Sequence, residues 1–174
     1  MDFSASSAEK VLHYFEEITK IPRPSGHEEK IADYLEAFMN ARGIKYSRDA
    51  KHNVFAVLEA TEGREDEPAI MLQGHTDMVA DKLPELDKDM LKEGIEVYRD
   101  GDWLRARGTT LGGDDGIAVA AMMAMLDGAL ASHPALECLF TTSEETGMNG
   151  TIAFDFSKVS ARRMLHLDSA SEAE

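Results

Sequence analysis

The run Ile70-Met71-Leu72-Gln73-Gly74 carries no charge, in a chain whose residues are 29% charged. It is entered through Pro68 and closed by a glycine. A short apolar run bounded in this way reads as a strand buried on both faces. Leu136-Glu137-Cys138-Leu139-Phe140-Thr141 is a second such segment, and stretches of helical period lie between and before them. Buried strands need covering layers, and helices alternating with short apolar strands supply them. The expected fold is therefore α/β, a mixed and largely buried sheet flanked by helices.

Around these strands the chain is punctuated clearly. Ser6-Ser7-Ala8-Glu9 has capping-box spacing ahead of Val11, Leu12, Phe15 and Ile18, which predicts an amphipathic helix. Pro22 and Pro24 end it. Ser25-Gly26-His27-Glu28 is expected to cap a second helix with Ile31, Leu35, Phe38 and Met39 on one face and Gly43 as its stop. Extended segments are predicted over 45–48, 53–59, 102–107 and 163–168, with a charged surface excursion of partly helical character over 81–92. Gly112-Gly113-Asp114-Asp115-Gly116 forms a turn that opens a buried helix over 117–130, rich in alanine and methionine. His166 reads as a core or wall residue of the last strand. There is no internal repeat.

Composition excludes several functions. With 174 residues the chain can bury one substantial core. Thirty-three acidic against 18 basic residues give a formal charge of −15, the wrong sign for binding nucleic acid or an anionic membrane. No apolar run approaches the ~20 residues needed to span a bilayer. Met1-Asp2-Phe3-Ser4 lacks a signal pattern, so a cytoplasmic location is expected. The single cysteine, Cys138, sits in an apolar strand, which leaves no disulfide and predicts core packing.

The chemistry gathers where the predicted strands end. His75 and Asp77 directly follow the first run, and residues two apart on an extended segment leave the same face. They suit either two metal ligands or one ligand and the carboxylate that orients it. Asp114 opens the glycine turn, Glu144 and Glu145 follow the strand ending at Thr141, and Asp168 closes the last strand. Ligands of open α/β sheets bind outside the carboxyl ends of the strands. Five carboxylates and an imidazole facing one crevice repel one another unless a multivalent cation holds them. Imidazole with carboxylates suits zinc, or manganese or cobalt, whereas an all-oxygen set suits calcium or magnesium. Ordinary readings compete: Asp114 or Asp115 as a helix cap, Glu144-Glu145 as a solvated turn, Asp168 as an exposed strand end. A Gly-x-Ser-x-Gly elbow and a Walker loop are both absent.

Five motifs together resemble the M20 metallopeptidases, and within them the Xaa-His dipeptidase branch. They are Ile21-Pro22-Arg23-Pro24-Ser25-Gly26-His27-Glu28, Gln73-Gly74-His75-Thr76-Asp77-Met78-Val79, Arg107-Gly108-Thr109-Thr110-Leu111-Gly112-Gly113-Asp114-Asp115-Gly116, Thr142-Ser143-Glu144-Glu145-Thr146-Gly147-Met148 and Leu167-Asp168-Ser169. They are spread over nearly the whole chain in the family's order. The resemblance implies a zinc-peptidase-like fold with two zinc ions. His75 and Asp168 would hold one ion, Asp114 would bridge, and Glu145 would bind the other. Asp77 would orient His75, and Glu144 would be the general base for a water held between the ions as it attacks a dipeptide of Xaa-His type. An M20 tripeptidase, an N-acyl amino acid amidohydrolase and a non-catalytic fragment that keeps only the fold are the alternatives. The loop Thr109-Thr110-Leu111-Gly112-Gly113 favours the dipeptidase and tripeptidase branches.

The chain also departs from the family pattern. Members continue into a lid or dimerisation domain and a late histidine for the second ion, and none of the remaining histidines here stands in a matching motif. Asp168-Ser169-Ala170-Ser171 differs from the acidic run usual after this aspartate. Residues 1–174 are accordingly expected to be the N-terminal part of a catalytic domain, inactive in isolation. The full-length protein is expected to be a homodimer acting on small peptides.

Overall fold

The computed structural model describes residues 5–168. The stretch before residue 5 and the departure at 169–171 lie outside the described residues. A five-stranded sheet in the order β1-β2-β6-β3-β7 forms the centre. Its members are β1 (Lys45–Arg48), β2 (Val54–Leu58), β3 (Ile70–His75), β6 (Leu136–Thr141) and β7 (Arg163–His166). β1, β2 and β6 pair antiparallel, whereas β3 runs parallel to both β6 and β7. The sheet is thus mixed, as the sequence predicts. A separate ribbon pairs β4 (Val97–Asp100) with β5 (Trp103–Ala106).

Side-chain alternation divides the core between the two faces of the sheet. Val54, Ala56, Leu72, Leu136, Cys138 and Phe140 point to one face. There they meet Phe15 and Ile18 of α1 (Ala5–Thr19), Leu35 and Phe38 of α2 (Glu29–Arg42), and Val119, Met122 and Met123 of α3 (Gly113–Ala124). Phe55, Met71 and Leu139 point the other way, onto Phe154, with Val159 and Ala161 beside them. Phe154 directly follows the short helix α4 (Asn149–Ala153). Cys138 is fully buried in the larger core, and burial pushes its thiol up to about 12. A π-helical turn, Met125–Ala129, ends α3.

Several expectations need correction. α1 begins at Ala5, so Ser6 lies inside the helix rather than capping it, and Ser7 donates its hydroxyl to the Ala129 carbonyl at 2.9 Å. Ser25 does not cap α2; Glu28 occupies that position without a side-chain cap bond. Gly43 does stop α2, with φ 66°, and its N–H reaches back to the Asn40 carbonyl. Residues 81–92 form turns and no helix. The edge strand β7 is exposed along its length, so His166 is no core residue; its Nδ1 pairs with the Gln73 side chain. No described helix is long and apolar enough to cross a membrane.

Candidate metal centre

β3, β6 and β7 run the same way, and the loops leaving them converge with the loop that opens α3. His75, the last residue of β3, is 1% exposed, with its ring clamped from two sides. Nδ1 lies 3.0 Å from the Asp77 carbonyl oxygen and 3.4 Å from Asp77 Oδ1. Nε2 faces the crevice, 3.0 Å from Asp114 Oδ1 and 3.9 Å from Asp168 Oδ2. An imidazole held through one nitrogen by a carboxylate presents the other in a fixed direction, as metal-ligating histidines do.

Asp77 is completely buried and lies behind this ring. Its Oδ1 accepts from the Glu144 N–H at 3.0 Å. Its Oδ2 accepts from the Ser25 hydroxyl at 2.7 Å and the Glu145 N–H at 3.3 Å. One carboxylate therefore ties the β3 loop to the loop after β6. Burial alone would raise the Asp77 pKa, but His75 and these donors outweigh it and hold it below the ordinary aspartate range. Burial pulls His75 down in turn, and its carboxylate neighbours overcome this, so the metal-free ring titrates at about 9.

Asp114 and Asp115 are not helix caps. Both have non-helical backbone angles at the start of α3, where Gly112 is the cap, and a cis peptide joins them. Asp114 turns its mostly exposed side chain to His75 Nε2. Asp115 is buried and accepts from the His75 backbone N–H at 3.1 Å. Burial, reinforced by Asp168 and Asp114, raises the Asp115 pKa to about 7 against the pull of His75. Glu145 is also raised, by burial and then by Asp114.

Two groups of three potential ligands result, with ligand atoms within 4.8 Å of one another: His75 with Asp114 and Asp168, and His75 with Glu144 and Glu145. His75 belongs to both, so among the described residues one imidazole serves the whole crevice. Asp114 and Glu145 are not in one group of three. The donor set of one neutralisable imidazole and several carboxylates fits a zinc-like cation.

Two supporting residues escaped the sequence reading, which assigned the 25–28 segment to a helix cap. Ser25 binds Asp77, as above. Glu28 is 4% exposed, and its Oε1 accepts from the Gly26 N–H at 2.9 Å, the Ser143 N–H at 2.8 Å and the Ser143 hydroxyl at 2.9 Å. Ser143 has φ 53°, an uncommon conformation for a non-glycine residue, and immediately precedes Glu144. The visible signals were the place of both residues in the first of the five motifs and the dense run of polar residues between prolines and helix.

Known proteins share this fold. No family model matches the chain. It is 36% identical over 173 residues to the cytosol non-specific dipeptidase of Escherichia coli (strain K12), covering 99% of this chain and 36% of that protein. The crystal structure of aminoacylhistidine dipeptidase from Vibrio alginolyticus superimposes with a TM-score of 0.91 at 36% identity, covering 99% of this chain and 35% of that one. Aminopeptidase PepT from Bacillus cereus shares the fold, with a TM-score of 0.78 at 23% identity over 94% of this chain and 44% of that one. The chain spans about a third of the length of the two dipeptidases it matches. In sequence and in fold the chain is similar to one part of each of these two dipeptidases.

Proposed function

We propose that this chain carries the metal ligands and general base of a dipeptidase, as part of a longer catalytic domain. The observation that carries the reading is His75, its Nδ1 locked by Asp77, its Nε2 facing the carboxylates of Asp114 and Asp168, and a ring nitrogen within 4.8 Å of ligand atoms of Glu144 and Glu145. His75 and Asp168 would hold one zinc ion, Asp114 would bridge, and Glu145 would contribute to a second. Manganese or cobalt could substitute. Cations held there supply polarisation of the peptide carbonyl and acidification of a water.

The chain's own residues do the rest. Asp77 keeps His75 in the tautomer and orientation that a ligand needs. Glu144, anchored through its backbone N–H to Asp77, takes a proton from the attacking water and passes it to the leaving amine. The substrate class is a small unblocked dipeptide, with C-terminal histidine as the first candidate. The likeness to the two dipeptidases supports this class over tripeptides and N-acyl amino acids. Cytoplasmic location and homodimerisation of the full-length protein complete the proposal. The first is supported by the word cytosol in the name of the Escherichia coli relative.

The test uses the longer protein that contains this chain, assayed on dipeptides, tripeptides and N-acyl amino acids. Glu144→Gln should keep its metal and lose turnover. Normal turnover in that variant removes Glu144 from the base role, and a preference for N-acyl amino acids moves the protein to the amidohydrolases.

A further inference from the structure

Beneath the crevice lies a cation that the reaction chemistry does not use. Arg23, between the two prolines that follow α1, is 2% exposed in a chain of formal charge −15. Its hydrogen-bond partners are backbone carbonyls. Nη1 donates to Thr76 at 2.8 Å and to Asp77 at 3.3 Å, and Nη2 donates to Gly112 at 2.6 Å. Its main chain grips the same segment, because the Met78 N–H donates to the Arg23 carbonyl at 3.1 Å and Pro24 bridges to Met78. Burying a guanidinium is costly, and among the described residues its Nε has no hydrogen-bond partner. Burial lowers its pKa to about 10, against the pull of Asp77, Asp115 and Asp114, so it stays a cation at neutral pH.

The glycine turn is shaped around this side chain. A Cβ on Gly112 would stand 2.6 Å from Nη2, and one on Gly116 would stand 2.5 Å from it. Two glycines of Gly112-Gly113-Asp114-Asp115-Gly116 thus make room for Arg23 as well as for the turn. The fork reaches two chain segments at once. One leaves β3 and carries His75 and Asp77, and the other enters α3 and carries Asp114.

We infer that Arg23 is a positioning residue of the metal centre, tying these two segments together and so fixing the separation of His75 from Asp114. This rests on the metal-centre reading of the site. A lysine would keep the charge but could not serve three carbonyls on two segments with a planar fork, so Arg23→Lys separates geometry from charge.

The experiment compares the 174-residue chain with its Arg23→Lys and Arg23→Met variants. Zinc affinity is measured by chelator competition, the cobalt-loaded forms by visible absorption, and the metal-free forms by amide hydrogen exchange. Arg23→Lys should bind zinc about 10–100-fold more weakly, the range seen when a ligand's supporting partner is lost. Its cobalt bands should shift, and exchange should quicken at Met78 and Gly116 while β6 stays protected. If Arg23→Met fails to fold, Arg23→Lys still decides. Unchanged affinity and unchanged cobalt bands overturn the inference, as does quickened exchange in β6 with the cobalt bands unmoved, which marks a merely structural residue. If the wild-type chain binds no metal, the metal-centre reading fails on its own. Exchange at Met78 and Gly116 then decides whether Arg23 ties the segments: quickened exchange upholds the tie, and unchanged exchange overturns it.

Discussion

Replacing Asp77 with asparagine tests the clamp behind His75 with almost no change of shape. The native carboxylate accepts from Glu144 N–H on one oxygen, and from the Ser25 hydroxyl and Glu145 N–H on the other. In the Asp77→Asn variant one of these oxygens becomes an NH₂ group. The Ser25 hydroxyl can rotate to accept, but a backbone N–H cannot, so one N–H facing a fully buried side chain loses its acceptor. That costs about 1–3 kcal/mol, and losing charge assistance in the remaining bonds adds about 1 kcal/mol. A total near ~3 kcal/mol corresponds to a fall in Tm of about 6–12 °C for a domain of this size. Zinc affinity should drop about 10–100-fold as the ring loses its anionic anchor. Urea denaturation of the metal-free chain and chelator competition measure the two effects. A variant within about 0.5 kcal/mol of wild type, the scatter expected of a neutral substitution, with unaltered affinity, would refute the role assigned to Asp77.

Three further outcomes follow from the same geometry. Glu28→Ala strands the N–H groups of Gly26 and Ser143 and should cost about 3 kcal/mol in chemical denaturation, whereas Glu28→Gln keeps an acceptor and should cost about 1 kcal/mol. The raised His75 pKa stabilises the metal-free fold. This contribution is complete below the ordinary value of 6.5 and is lost as pH climbs through about 9. Stability of the metal-free chain should fall across that window, and a His75→Gln variant should lack that part of the slope. Because binding must displace the same proton, zinc affinity should rise with pH and level off near 9.

Where burial follows from local pattern, the sequence was readable. β1 and β6 occupy the predicted residues, and the mixed sheet stands as expected. β4 was missed because Val97-Tyr98-Arg99-Asp100 lies on a half-exposed ribbon with no apolar alternation to announce it. α4 was missed because Asn149-Gly150-Thr151-Ile152-Ala153 is only five residues long and opens with three weak helix formers, Asn, Gly and Thr. The crevice residues were legible from their places after apolar runs, but their supports were not. Arg23 in a proline-rich loop looks like an ordinary surface cation until carbonyls 53 and 89 positions away close around it. Asp114 and Asp115 look like caps by local rules. Only the fold shows that one meets the His75 ring and the other its backbone. Long-range partners decide these roles, and a local window contains none of them.

The most direct test of the account is a zinc titration of the 174-residue chain beside its His75→Ala variant, by calorimetry with metal analysis after gel filtration. His75 belongs to both candidate ligand groups, so the account predicts that wild type binds zinc and that His75→Ala abolishes the binding. A wild-type chain that takes up no zinc, or a His75→Ala variant that binds as wild type does, contradicts it.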